Sequence, residues 1–98
     1  MKNRLKDQLM SAEAKQALGE LLWHNPDDGQ FYWKVDHGRK TKRGTVAGHR
    51  TDQGVFISVK GVLYPAHRIA WLFAYGTWPR SVRHMDGDKT NNRIENLC

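Results

Sequence analysis

Arg39, Lys40, Lys42, Arg43 and Arg50 fall within residues 37–50, a stretch that contains no acid. Clustered cations of this kind bind phosphate. Each one displaces a counterion, so five together support salt-sensitive nucleic-acid binding near micromolar strength, about what phosphate contacts alone supply. The rest of the chain agrees with that chemistry. Its 98 residues carry 16 Lys and Arg against 10 Asp and Glu, a formal net charge of +6, and a pI of about 9.8. A polyanion is the expected partner, nucleic acid first. One cysteine, Cys98, excludes an internal disulfide framework and a zinc site built on paired cysteines, which makes a reducing cytoplasm the expected compartment. Mean hydropathy of −0.75, with no long apolar run and no secretory leader pattern, argues against a membrane role.

The elements that would position these groups read as an α+β domain. Ser11 precedes a run in which Ala14, Leu18, Leu21 and Leu22 keep helical spacing, which predicts a helix over 11–22 behind a basic N-terminal segment. Asn25-Pro26-Asp27-Asp28-Gly29 is a turn, because Pro fixes one φ and Gly accepts a positive one. Phe31, Trp33 and Val35 alternate as the core face of a strand, and the cationic loop then leads into a short strand around 45–48. Val55, Ile57 and Val59, the reversal at Gly61 and the return through 62–64 describe a β-hairpin. Ile69, Leu72 and Phe73 stripe a helix from Ala66 that Gly76 ends and Pro79 keeps from resuming. Beyond it lie strand candidates at 82–85 and 94–97, joined by a polar loop. The expected organisation is a basic segment and helix over 1–22, followed by one folding unit over 23–98.

The run Ala66-His67-Arg68-Ile69-Ala70-Trp71 resembles a known pattern. So do Tyr75-Gly76 with Trp78-Pro79, and His84 followed by Asp86-Gly87-Asp88, Asn91-Asn92-Arg93 and Asn96-Leu97. Together they resemble the HNH homing endonucleases of phages and introns, and Leu21, Leu22, Pro26, Gly29, Phe31 and Trp33 look like the N-terminal part of the same proteins. The resemblance implies a ββα-metal fold. In it an aspartate holds a divalent cation, the next residue, a histidine, deprotonates the attacking water, and a central asparagine orients the loop. It also places residues 39–50 where related proteins carry a small three-stranded sheet, similar to plant ethylene-response DNA-binding domains, that presents arginines to DNA.

Carried over, the resemblance puts His84 at the general base and Asn96 at the central asparagine. The residue before the histidine, however, is Arg83. A guanidinium stays protonated and repels a cation, so the first metal ligand is replaced by its opposite. The sequence also reaches Cys98 before the family's last ligand-bearing helix. The expectation is therefore a degenerate or truncated HNH protein, with Asp86 and Asp88 the loop carboxylates left to replace the lost ligand. No metal site and no cofactor are expected, and Mg²⁺ or Mn²⁺ would serve only if the centre is active. Double-stranded DNA is the expected partner, contacted by Arg39, Lys40, Lys42, Arg43, Arg50 and Arg93.

Two rival functions remain: an active metal-dependent nicking endonuclease that uses His84, and a protein-interaction module that inhibits a host nucleoprotein or defence complex. Each feature also has a plainer role. His84 can be a strand histidine that donates one hydrogen bond, the cationic loop a solvated surface, and Trp23 and Trp78 packing residues rather than stacking ones.

Overall fold

The computed structural model describes residues 4–36 and 42–98. The chain opens with α1 (Arg4–Leu21), followed by β1 (Leu22–His24), β2 (Phe31–Trp33), β3 (Val46–Ala47), β4 (His49–Thr51), β5 (Gly54–Val59) and β6 (Val62–Pro65). Then come α2 (Ala66–Tyr75) and a single 3-10 turn, η1 (Ile94–Asn96). Strands β1-β2-β3 form one antiparallel sheet and β4-β5-β6 a second. This is the α+β arrangement anticipated, with two small sheets in place of one.

The helix–strand boundary at Leu22 differs from expectation. Ser11 does not begin the first helix, because the Leu, Lys, Arg, Gln and Met that precede it are themselves good helix formers. The helix then stops one residue early, and Leu22 pairs with Trp33, Trp23 with Tyr32, and His24 with Phe31. A three-residue strand directly after a helix leaves no break in apolar spacing, so the periodicity runs through it. The expected 31–35 strand is also shorter, since β2 ends at Trp33. Residues 94–97 form η1 followed by Leu97, not a strand, and 82–85 contributes only a bridge between His84 and Leu97.

Helix α2 is the centre of the molecule. Ala66, Ile69, Ala70 and Leu72 are fully buried, and they meet Leu18, Leu22, Phe31, Ala47, Ile57, Val59 and Leu97 from the surrounding elements. Phe73 packs edge-on to Phe31 with centroids 5.6 Å apart, which joins the helix to the first sheet. The helix ends as expected, with the Gly76 N–H turned back to the Leu72 carbonyl at 2.8 Å. Trp33 and Trp71 pack half-buried against this core, and Trp78 stacks on Tyr64 with rings 5° from parallel. Trp23, by contrast, is 51% exposed. No helix among the described residues is long and apolar enough to cross a membrane.

The turn between β1 and β2 is locked from within and from outside. Asn25 Oδ1 accepts from the Asp27 N–H, its carbonyl accepts from the Gly29 N–H, and Asp28 Oδ1 accepts from the Gln30 N–H. Gly29 then takes a φ of +73° and lies buried with its backbone against Asn92 and Arg93. Glycine is required there twice over: a side chain would strain the left-handed conformation, and a Cβ would stand 2.4 Å from the Arg93 nitrogen. The turn is thereby fastened to the C-terminal loop, 63 residues on.

Candidate functional site

Three elements converge on His84. The bridge to Leu97 sets its backbone: Arg83 and Cys98 exchange hydrogen bonds at 2.9 and 3.0 Å, and the Met85 N–H donates to the Asn96 carbonyl at 2.8 Å. The first turn of α2 brings His67 alongside, with ring centroids 5.1 Å apart. From the first sheet, His24 packs on Phe31 at 4.7 Å and donates through Nε2 to the Asn92 carbonyl at 2.9 Å.

Asn92, only 2% exposed, is the residue these contacts share. Its Oδ1 lies 2.7 Å from His84 Nε2. An amide oxygen accepts, so Nε2 carries a proton, and in the neutral ring the lone pair then resides on Nδ1. That is the tautomer and anchoring a general-base imidazole requires. Sequence reasoning found neither His24 nor this use of Asn92. Nothing local marks a pair separated by 68 positions.

Asn96 orders the loop rather than the ring. Its Oδ1 accepts from the Asp86 N–H at 3.1 Å, and its Nδ2 donates to Asp86 Oδ1 at 3.0 Å and to the Asn91 carbonyl at 2.9 Å. Asp86 is thereby occupied on both oxygens, since Asn91 Nδ2 donates to Oδ2 at 2.8 Å and the Asp88 N–H to Oδ1 at 2.8 Å. The Asn91 side chain, then the Asp88 N–H and Asn96, hold its carboxyl below the usual aspartate range. Asp88 accepts from the Thr90 hydroxyl and N–H, and its carboxyl is lowered by those two bonds.

These carboxylates serve as loop staples. With Arg83 beside the histidine, Asp86 bonded on both oxygens and Asp88 accepting from Thr90 on Oδ1 alone, the loop offers too few oxygen ligands to fit a divalent cation. Among the described residues no three His, Cys, Asp or Glu side chains converge as a cation shell.

His67 is the titrating neighbour. Burial first, then repulsion from the His84 ring in its protonated form and from the Arg68 guanidinium, push its imidazole below the ordinary value of 6.5. In the folded protein it stays neutral where the unfolded chain would already take up a proton. Stability contributed by this group is therefore complete above about pH 6.5 and declines as pH falls below it. The expected slope is under about 1 kcal/mol per pH unit, because solvent screens the half-exposed ring. Urea midpoints at about pH 7.5 and pH 5.5 should differ less in His67→Gln than in the parent protein; an equal difference in both would show that His67 is not the group responsible.

The cations divide into two groups. Arg50, exposed on β4 of the three-stranded second sheet, lines a cleft with Gly29, Thr90 and Asn92 and lowers the Asp88 carboxyl, so it stands over the His84 loop. Arg93 is exposed on that same loop. Lys42 and Arg43 are also exposed, but they occupy the turn before β3, where Arg43 borders Trp23, Tyr32 and Lys34. Arg39 and Lys40 lie outside the described residues.

Comparison with known proteins bears on the last third of the chain. Residues 64–98 match the family model described as HNH endonuclease. No curated protein and no solved structure matches the chain.

Proposed function

We propose, from the match of residues 64–98 to the HNH endonuclease family model, that the protein binds double-stranded DNA through its cationic surface, with a hydrolytic centre that has kept its base and lost its cation. The observation that carries this reading is the division within the site. His84 is held in a defined tautomer by Asn92, while the position next to it is a guanidinium and the nearer carboxylate, Asp86, is bonded to the loop on both oxygens. Phosphodiester hydrolysis needs a base together with charge stabilisation on the phosphate oxygens. Binding needs only the phosphate contacts.

Arg50 and Arg93, placed around the His84 loop, supply contacts at the place where a nuclease of this family would engage its scissile phosphate. Lys42 and Arg43, with Arg39 and Lys40, extend the basic surface. Such an occupant of DNA suits a phage or mobile element, whose genes compete for nucleic-acid sites.

The reading is tested by fluorescence anisotropy on a duplex, in Mg²⁺ and in EDTA across a salt series. Affinity should not fall when the chelator removes Mg²⁺, since the ion only competes for the phosphates. The log–log salt slope should reach about −5 if all six cations meet phosphates. Affinity that collapses in EDTA, or a slope near zero, would reject the proposal.

A further inference from the structure

The outer face of the first sheet presents a second feature. In the register of β1, β2 and β3, Trp23 stands beside Tyr32 and Tyr32 beside Val46, and all three occupy the face opposite the buried Leu22, Phe31 and Ala47. Trp23 is 51% exposed and Val46 49%. Globular domains bury an indole when they can, so one laid open on a sheet face suggests an interaction surface.

The row is held rigidly. The Tyr32 hydroxyl donates to Asp28 Oδ2 at 2.6 Å, and the Trp23 and Tyr32 centroids are 5.9 Å apart at 41°. Asp28 is itself fixed by the turn, through the Gln30 N–H. Beside the rings lies an open depression of about 690 Å³, lined by Trp23, Tyr32, Trp33, Lys34, Arg43 and the small residues Asn25 and Gly44. That volume falls within the range of small-ligand sites, roughly 300–1,000 Å³. Two of its walls are cations, and the carboxylates behind it are engaged, Asp28 by the Tyr32 hydroxyl and Asp36 by the Arg43 N–H. Lys34 Nζ spends one N–H on the Gly19 carbonyl at 2.7 Å, which leaves two donors.

We propose that this face is a stacking platform for unpaired nucleotides, with a base seated on Trp23 beside Tyr32 and the flanking phosphates met by Lys34 and Arg43. Aromatic rings next to cations are the recurring chemistry of single-strand binding, since every base offers a π-face and every nucleotide a charge. Charge decides between occupants. A second copy of this chain, also at +6, would bring like charge against Lys34 and Arg43, whereas a nucleic-acid strand neutralises them. The platform lies outside 64–98, and it faces away from the side on which His24 reaches Asn92. Arg43 borders both this platform and the duplex surface proposed above, whereas Trp23 belongs to the platform alone, so the Trp23 variants distinguish a failure of one from a failure of the other.

The test measures affinity for oligo-dT of about ten nucleotides and for a duplex in parallel, with the full chain, Trp23→Ala, Trp23→Phe and Arg43→Gln. Circular dichroism checks that each variant folds. Trp23→Ala should lose roughly 10- to 100-fold in oligo-dT affinity and leave duplex affinity within about twofold. Trp23→Phe should recover part of the loss, and Arg43→Gln should flatten the oligo-dT salt dependence in a folded protein with its rings intact. Oligo-dT affinity unchanged in Trp23→Ala would overturn the proposal. So would a dimer that Trp23→Ala dissociates while oligo-dT binding stays the same, since the row would then be a self-association surface.

Discussion

Replacing Gly29 with alanine is expected to destabilise the protein by about 3 kcal/mol or more and to release the His84 ring from its anchor. The positive φ accounts for about 1–2 kcal/mol of this. The remainder is steric: the new methyl would sit 2.4 Å from the Arg93 nitrogen and 2.7 Å from the Asn92 carbonyl carbon, both backbone atoms that cannot rotate away. Either the turn or the loop must move, and the loop carries Asn92. Gly61→Ala separates the two contributions, since Gly61 has a φ of +81° with nothing within 4 Å of its would-be Cβ. That variant should lose only the conformational part. Thermal midpoints read the difference, at roughly 4–8 °C per kcal/mol for a domain of this size, and the His84 imidazole resonances read the release. Equal shifts for the two variants would mean that the Gly29 packing contributes nothing of its own.

Reversing the charges at Lys42, Arg43 and Arg50 to glutamate should reduce duplex affinity on the order of 100-fold at about 0.1 M salt and flatten the salt slope by about 3. Each neutralised phosphate contributes close to one unit of slope, so the slope counts contacts as affinity alone cannot. All three residues are exposed, and each stability change should fall within about 0.5 kcal/mol. A control that reverses Lys15, Lys60 and Arg80 changes net charge equally, from exposed positions outside the proposed surface. If the control weakens binding as much as the variant, net charge is responsible and the surface has been misplaced.

Much of the fold was legible because the signals were local. The stripe of Ile69, Leu72 and Phe73, the stop at Gly76 and the reversal at Gly61 each act within a few residues, and the helix and hairpin form where these place them. β1 was hidden for the opposite reason: Leu22-Trp23-His24 continues the apolar run of α1, and only pairing with β2 makes it a strand. The two residues singled out in the site, His84 and Asn96, do lie together, on either side of the bridge and its loop. The grip on the ring comes instead from Asn92, steadied by His24 and by the backbone of Gly29. Those contacts join the first third of the chain to the last, and no spacing within a motif encodes them. Asp86 was equally opaque, since a carboxylate free to hold an ion and one consumed by neighbouring amides read alike in sequence.

The state of the centre as a whole is open to one direct measurement. Supercoiled plasmid incubated with the protein in Mg²⁺ or Mn²⁺ should be bound, with retarded mobility, and remain supercoiled after the protein is stripped away. Relaxed or linear product that disappears in His84→Ala would contradict the account, because it would show an imidazole working with an ion that the Arg83 guanidinium should repel.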